Sequence, residues 1–384
     1  MIRNVVLAII LLVQLGAWFI MDPPWSTAKA ASESIKTQKL ADIDIAEIGA
    51  FRVTAPGGSQ LNLSLEDGVW VLNDVHGFPA IQEKVTKALD ELSGLSRSDF
   101  RTSKSFLHED LKVDDVAATR LQLFSRTRNP MAEILIGKRD IQGNRGTFIR
   151  MGGSDDVYVA PSQDLGTVFD TNAKQWYQPT MMDVSVTETQ RMTELRTACY
   201  HIEVEMKRAK KGDDGQPLEP EQFERLRYVY ERVDPAADSG DDPHWKVLEP
   251  SGKSELVLDD LMVKGIASTL LTTRANEIVG AGLMPEHGLA DRDELAVRVE
   301  ARFREDGGET TRVLEIGNER TLPAVGGVPR PPERFARVRH PGGDGRQSFV
   351  FAIPAQSMVY LQRDPETLVR RAPPPSPALD GNGR

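Results

Sequence analysis

The chain has 384 residues, of which 40% are hydrophobic and 27% are charged, proportions that are ordinary for a folded globular protein. Its net charge of −10 argues against a nucleic-acid-binding protein and against a body that lies on anionic lipid, since both would need clustered lysines and arginines. Cys199 is the only cysteine, which excludes an internal disulfide and a multi-cysteine metal site and favours a buried, unreactive thiol.

Residues 1–21 are predicted to form a signal anchor that crosses a membrane as a single helix. An almost unbroken apolar run covers residues 5–21, short for a membrane span and long for a signal-peptide core. A cleaved signal peptide is the alternative, with Ala28-Lys29-Ala30 as its cleavage pattern, and a buried core helix is a third. We expect an inner-membrane protein whose bulk is extracytoplasmic or periplasmic, with residues 22–42 as a tether, although the flanking charges do not decide the orientation.

Residues 43–180 are predicted to form a first α+β unit. Alternating apolar residues that begin at Ile48 and Leu61 predict a hairpin, and a third strand carries Trp70. The period then changes to that of a helix. The apolar face of this predicted helix consists of Ile81, Val85, Ala88, Leu89, Leu92 and Leu95. Further strands are predicted at residues 121–124, 132–136, 148–151 and 157–159.

Residues 183–371 are predicted to form a second α+β unit with longer loops. Its strands are predicted at residues 201–206, 228–233, 245–248, 295–303, 313–316, 335–338 and 349–353. The apolar face of its helix is predicted to consist of Leu258, Leu261, Met262, Ile266, Leu270 and Leu271. Insertions at residues 210–220 and 323–332 are absent from the first unit, and residues 372–384 are predicted to be a disordered tail.

The two units repeat the same landmarks in the same order, with a spacing that grows along the chain as loop insertions would produce. The matched landmarks are Trp70 with Trp245, Val85 with Val263, Leu92 with Leu270, Phe100 with Ile278, Ile136-Gly137 with Ile316-Gly317, and Pro161-Ser162-Gln163 with Pro354-Ala355-Gln356. Each unit is predicted to contain hairpins and one long helix. This predicts an α+β protein with two tandem copies of a mostly antiparallel sheet, each with one principal helix packed on it. We expect the two tryptophans to anchor helix on sheet; an exposed ligand platform is the alternative.

No motif with a strong catalytic mechanism is present in the sequence. Gly252-Lys253-Ser254 lacks the upstream glycine of a phosphate loop, because Val247 stands at that position. The acidic group Asp291, Asp293 and Glu294 could bind Ca²⁺, but the glycine and distal glutamate of an EF-hand are missing. Five of the six histidines are expected in solvated loops or at strand ends. We therefore predict a non-enzyme with no catalytic, cofactor or metal residues, and we treat Trp70, Gly137, Trp245 and Gly317 as structural landmarks.

The anchor and the repeated landmarks give the chain a resemblance to a known family. The strand at residues 69–72, Leu92-Ser93-Gly94-Leu95, and the two Ile-Gly strand ends resemble the bacterial family called domain of unknown function 4340. Gly288-Leu289 fits the family pattern, whereas Asp110-Leu111 stands where Gly-Leu is usual. The resemblance implies a membrane-anchored extracytoplasmic protein, in some members linked to ABC-type transporters of gliding motility, and it transfers no catalytic residues.

These features favour an accessory or scaffold protein beside a membrane complex such as an ABC-type transporter, with a membrane-protein partner and no nucleic acid. A periplasmic module that binds a glycan or lipid in a cleft between the copies is the alternative. A hydrolase assembled from distant residues is a third hypothesis. Because the second copy carries the insertions, partner contacts are expected there.

Overall fold

The computed structural model describes residues 43–95, 100–141, 146–160, 164–182, 189–212, 216, 218, 222–235, 242–305, 307–339 and 345–370. The predicted anchor, tether and tail lie outside these residues, as does the Pro161-Ser162-Gln163 landmark. None of the described helices has both the length and the apolar composition needed to cross a membrane. The chain forms two compact units, one of residues 1–74 and 80–176 and one of residues 75–79 and 177–384.

The first unit is an antiparallel sheet with one long helix. Its strands are β1 (Ile48–Thr54), β2 (Gln60–Glu66), β3 (Val69–Leu72), β5 (Phe100–Thr102), β6 (Thr119–Ser125), β7 (Pro130–Arg139), β8 (Thr147–Met151) and β9 (Val157–Ala160). Strand β4 (Phe78–Pro79) belongs to the second unit. The helices are α1 (Gln82–Ser93), α2 (His108–Leu111) and α3 (Leu165–Val168). Within this unit the strands are ordered β3-β2-β1-β6-β7-β8-β9-β5.

The second unit is built on the same plan. Its strands are β10 (Cys199–Ala209), β11 (Phe223–Val233), β12 (His244–Glu249), β13 (Glu277–Ala281), β14 (Val297–Glu305), β15 (Gly308–Arg320), β16 (Glu333–Arg339) and β17 (Phe349–Pro354). The helices are α4 (Thr189–Ala198), α5 (Asp260–Thr272) and α6 (Met358–Leu361). The strands are ordered β12-β11-β10-β14-β15-β16-β17-β13, which matches the first unit strand for strand.

Short 3-10 helices connect these elements. They lie at Ile45–Glu47, Asn73–Val75, Ser105–Leu107, Ala173–Gln175, Ser251–Lys253, Pro285–His287, Arg346–Ser348, Ala355–Ser357 and Pro365–Leu368. All strand pairs within the units are antiparallel. The prediction of two antiparallel sheets with few helices is therefore confirmed.

The long helix of each unit buries one apolar stripe. In α1 the buried residues are Val85, Ala88, Leu89 and Leu92, as the helical spacing predicts. In α5 they are Val263, Ile266, Ala267, Leu270 and Leu271. The predicted face of α5 was partly wrong, because Leu261 and Met262 are exposed. Leu261 precedes Ile266 by five residues and so lies on the opposite side of the helix. Helix α4, in which Met192 and Leu195 are buried, was not predicted.

Both landmark tryptophans lie in the core and are tied to the start of the long helix. The Trp70 backbone N–H donates to Gln82 Oε1 at 2.9 Å, and Gln82 Nε2 donates back to the Trp70 carbonyl at 3.0 Å. Trp245 is 1% exposed, and its indole Nε1 donates to Asp260 Oδ1 at 3.0 Å. Gln82 and Asp260 are the first residues of α1 and α5, so each Trp-bearing strand fixes where its helix begins.

The two landmark glycines occupy the same bulge in the two sheets. The strand register shifts between Ile136 and Arg139 in one sheet and between Ile316 and Glu319 in the other. A Cβ atom on Gly137 would lie 2.4 Å from the Leu111 carbonyl oxygen, and one on Gly317 would lie 2.1 Å from the His287 carbonyl oxygen. Real Cβ atoms do not approach backbone this closely, so in each unit the bulge accepts a neighbouring turn only because glycine has no side chain.

In the sequence, Asp110-Leu111 is expected to correspond to Gly288-Leu289. The turns that face the two bulge glycines show a different correspondence. Gly288 has a φ of 61° and is followed by the buried Leu289, whereas the left-handed residue in the first unit is Lys112, with a φ of 56°. Lys112 precedes the buried Val113. The structural equivalent of Gly288-Leu289 is therefore Lys112-Val113, two residues after the expected place.

Replacing Lys112 by glycine is expected to raise the free energy of unfolding of the first unit by about 0.5–1 kcal/mol. The left-handed conformation costs a residue with a Cβ about 1–2 kcal/mol, and the flexibility of glycine in the unfolded chain offsets part of the gain. Denaturant unfolding measures the change. Lys112→Ala, which keeps the unfavourable conformation, is the control, and a glycine variant no more stable than the alanine variant would contradict this account.

Candidate functional site

The strongest candidate site is a ridge in the second unit formed by the short helix α6. Val359 and Tyr360 are 64% and 57% exposed, whereas their neighbours Met358 and Leu361 are buried. The two buried side chains hold the helix against the unit, and the two exposed ones project from it. Large apolar side chains grouped in this way on a surface are typical of sites that contact another molecule.

The ridge is positioned by the repeated Pro-x-Gln landmark. Strand β17 ends at Pro354, which pairs with Glu333 of β16, and the Ala355 N–H donates to the Pro332 carbonyl at 3.1 Å. A 3-10 turn at Ala355–Ser357 then leads directly into α6. The end of the sheet therefore sets where Val359 and Tyr360 lie.

The segment after α6 is fastened to the sheet by a charged cluster around Asp364. Arg208 Nη1 and the Tyr228 hydroxyl donate to Asp364 Oδ1 at 2.9 Å and 2.6 Å, and Arg208 Nη2 donates to the Gln362 carbonyl at 3.1 Å. Burial alone would raise the pKa of Asp364, but these hydrogen bonds and the Arg208 charge outweigh it and hold the pKa below its usual range. Burial and the nearby carboxylate both raise the pKa of Tyr228. The ridge is thus held at both ends.

A cavity lies beside Val359 on each of two sides of the ridge, and Val359 lines both. Cavity I has a volume of about 400 Å³ and is lined by Lys207, Phe223, Glu294, Ala296, Gly317, Asn318, Glu319, Arg334, Ala355, Met358, Val359 and Gln362. Cavity II has a volume of about 730 Å³ and is lined by Thr269, Thr272, Thr273, Arg274, Asn276, Pro354, Gln356, Ser357, Val359, Tyr360 and Arg363. We use the word groove for the ridge together with the two cavities, which share Val359 as a lining residue.

Cavity I is balanced in charge and includes the Gly317 bulge. Lys207 Nζ lies 4.9 Å from the centre of the Phe223 ring, and Arg334 donates to Glu319 Oε2 at 3.2 Å and to the Gly317 carbonyl at 3.1 Å. The insertion at 210–220, where partner contacts are expected, ends three residues before Phe223. The insertion at 323–332 instead exposes Val325 and Val328 in a tight turn, and neither lines the two cavities.

Among the described residues that line cavity II, only Arg274 and Arg363 are charged. Arg363 lies with its guanidinium 5.1 Å from the centre of the Tyr360 ring, and its Nη1 is 3.8 Å from Met262 Sδ. Arg274 follows the C-terminal end of α5 and is exposed. Among the described residues no carboxylate lies within 4 Å of either guanidinium. The cavity is therefore a cationic recess beside an apolar ridge.

A second polar cluster, on the sheet face of the second unit, is an ion-pair network. Glu203 and Glu205 are buried, yet Arg227 Nη2 donates to Glu203 Oε2 at 3.1 Å and Arg292 Nε donates to Glu205 Oε2 at 2.8 Å. Burial alone would raise the pKa of Glu205, but the hydrogen bond and charge of Arg292 hold it below its usual range. A carboxylate held ionised by an arginine, as that of Glu205 is, does not act as a proton donor near neutral pH.

The remaining candidates from the sequence lie in turns or in the core. Asp291 Oδ1 accepts from the Asp293 N–H at 3.2 Å in an exposed turn, and no metal-binding group of histidine, cysteine and acidic side chains occurs among the described residues. Lys253 ends a 3-10 helix and its Nζ lies 2.6 Å from Glu366. Cys199 is buried at the start of β10, as predicted, and burial raises the pKa of its thiol to about 12.

The expectation of solvated histidines was wrong for two of them. His108 and His287 are buried, each in the turn that faces a bulge glycine. His108 Nε2 lies 3.0 Å from the Asp155 carbonyl oxygen, and His287 Nδ1 accepts from the Met284 N–H at 3.1 Å. The His287 ring closes its own turn, whereas the His108 ring joins its turn to a residue 47 positions further along the chain, and a loop sequence reveals neither contact.

Comparison with known protein families gives a match over more than half of the chain. Residues 70–283, more than half of the chain, match the model of a family described as Domain of unknown function (DUF4340). The matched region begins at Trp70 and includes α5 and Arg274 but ends before α6. No curated protein and no solved structure matches the chain.

Proposed function

The chain belongs to the DUF4340 family, and we propose that it is a non-enzymatic, membrane-anchored, extracytoplasmic accessory or scaffold protein that binds a protein partner through the α6 ridge. The partner would be a component of a membrane complex such as an ABC-type transporter. The apolar run at residues 5–21 supports the anchored, extracytoplasmic placement.

The exposure of Val359 and Tyr360 between two cavities carries the proposal. An apolar side chain exposed alone is common on soluble proteins, but here two adjacent ones stand on a helix whose other side chains are buried. The cavities give a partner room for side chains on both sides of Val359. Aromatic residues in such a position contribute strongly to interfaces because they bury a large area at low entropic cost.

The proposal is tested by affinity purification of the full chain from gently solubilised membranes. We expect the protein in the membrane fraction with a co-purifying membrane protein in constant ratio, and we expect the double variant Val359→Ser, Tyr360→Ser to reduce that ratio at least about tenfold, a loss equivalent to about 1.4 kcal/mol. Val116→Ser, at an 81% exposed position of the first unit, is the matched control. Recovery of the protein alone and in the soluble fraction, or equal recovery of the partner with the ridge variant, would overturn it.

A further inference from the structure

The geometry points to an acidic, extended segment of the partner as the occupant of the groove, with its carboxylates in cavity II against Arg274 and Arg363. This inference rests on the proposed function, because it names the chemistry of the partner that the α6 ridge binds. It assigns the two arginines a role in selecting the partner by charge.

The first support is that both guanidiniums lack a carboxylate partner in a strongly acidic protein. Three other arginines of the same unit are each paired with a carboxylate: Arg227 with Glu249 at 2.6 Å, Arg302 with Glu300 at 3.0 Å, and Arg320 with Glu277 at 2.9 Å. Arg274 and Arg363 line a cavity whose described wall residues include no acidic side chain. A carboxylate entering cavity II would therefore meet two unpaired cations, and arginine binds carboxylates through paired N–H donors.

The second support is that the local negative charge in cavity II is too small to cancel these cations. The C-terminal end of α5, at Thr272, contributes roughly half a negative charge to the cavity wall. The hydroxyls of Thr269 and Thr272 already donate to the Gly265 and Ser268 carbonyls, at 2.9 Å and 2.8 Å. Their oxygens are left as acceptors, which suit the backbone N–H groups of an extended chain.

The shape of the groove favours a peptide over a small anion. Sites for small ligands usually enclose most of the ligand surface, whereas the walls of this groove include two side chains that are more than half exposed, Val359 and Tyr360. The groove also continues past Val359 into cavity I, where Phe223 is partly exposed. An extended segment with apolar side chains against Val359 and Phe223 and carboxylates in cavity II matches both the apolar and the cationic parts.

The test measures the binding of two labelled peptides to the purified full chain by fluorescence anisotropy. The peptides have twelve residues and the same apolar positions, with glutamate at the alternate positions of one and glutamine at those of the other. At about 0.1 M salt the glutamate peptide should bind at least roughly tenfold more tightly, and the preference should fall towards unity near 1 M salt because charges are screened. The double variant Arg274→Gln, Arg363→Gln should lose the preference while its affinity for the glutamine peptide is unchanged.

The matched control is Arg196→Gln, Arg330→Gln, which removes the same charge from exposed positions outside both cavities and should keep the preference. The inference would be overturned by equal binding of the two peptides, by binding of neither, or by a preference that survives in the Arg274 and Arg363 variant. Tighter binding to vesicles of phosphatidylglycerol than to the glutamate peptide would also overturn it. Failure of this inference can be distinguished from failure of the proposed function. The amount of partner that co-purifies with the Val359 and Tyr360 variant reports on the ridge, whatever the charge of the partner.

Discussion

Replacing Gly317 by alanine is expected to lower the free energy of unfolding of the second unit by about 3 kcal/mol or more. The added Cβ would lie 2.1 Å from the His287 carbonyl oxygen and 2.7 Å from that of Gly288. Both are backbone atoms, so no side-chain rotation relieves the overlap, and either the turn or the bulge must move. Denaturant unfolding followed by far-ultraviolet circular dichroism measures the change.

Gly265→Ala is the matched control for Gly317→Ala, with an expected effect of the opposite sign. Gly265 lies within α5, where an added Cβ would meet nothing within 4 Å. Alanine in a helix interior is more stable than glycine by about 0.5–1 kcal/mol, so this variant should be slightly stabilised. Equal free energies of unfolding for the two variants would contradict the account, because they would show that the second unit tolerates a Cβ atom at Gly317. By the same physical argument, Gly137→Ala should destabilise the first unit.

Replacing Trp245 by alanine is expected to cost the second unit about 3–5 kcal/mol. The indole is fully buried between β12 and α5, and its removal leaves a cavity and deprives Asp260 of a hydrogen-bond donor. Unfolding followed by circular dichroism, which does not depend on tryptophan fluorescence, measures the loss. Leu248→Ala, at a 45% exposed position on the same strand, should change the stability by less than about 0.5 kcal/mol. A similar loss for both variants would contradict the role given to Trp245.

The strands and helices could be predicted from the sequence wherever apolar residues recur with a regular period and are buried. Alternation around Ile48, Leu61 and Trp70 predicts strands that the structure contains, and helical spacing from Val85 to Leu92 predicts the buried stripe of α1. Helix α4 was missed because only two of the side chains described at residues 190–198, Met192 and Leu195, are buried apolar ones. The shifted turn at Lys112 was missed because a lysine in a left-handed conformation leaves no signal in composition.

The candidate site was largely inaccessible from the sequence. Met358-Val359-Tyr360-Leu361 is a uniformly apolar run, so its period does not show that two of its side chains face solvent. Whether an arginine is paired depends on strand register and on residues far away in the chain, as the Arg208 and Asp364 pair shows. The landmarks Gly317 and Pro354, which the sequence marks only as structural, each line one of the two cavities.

Site-specific photocrosslinking in intact membranes tests the central claim, that the α6 ridge contacts a partner protein, most directly. A photoreactive amino acid at position 359 should form a crosslink to one membrane protein, whereas the same amino acid at position 116, which is 81% exposed in the first unit, should form none. Crosslinks of equal yield at both positions, or none at position 359 in membranes where the partner co-purifies with the chain, would contradict the claim.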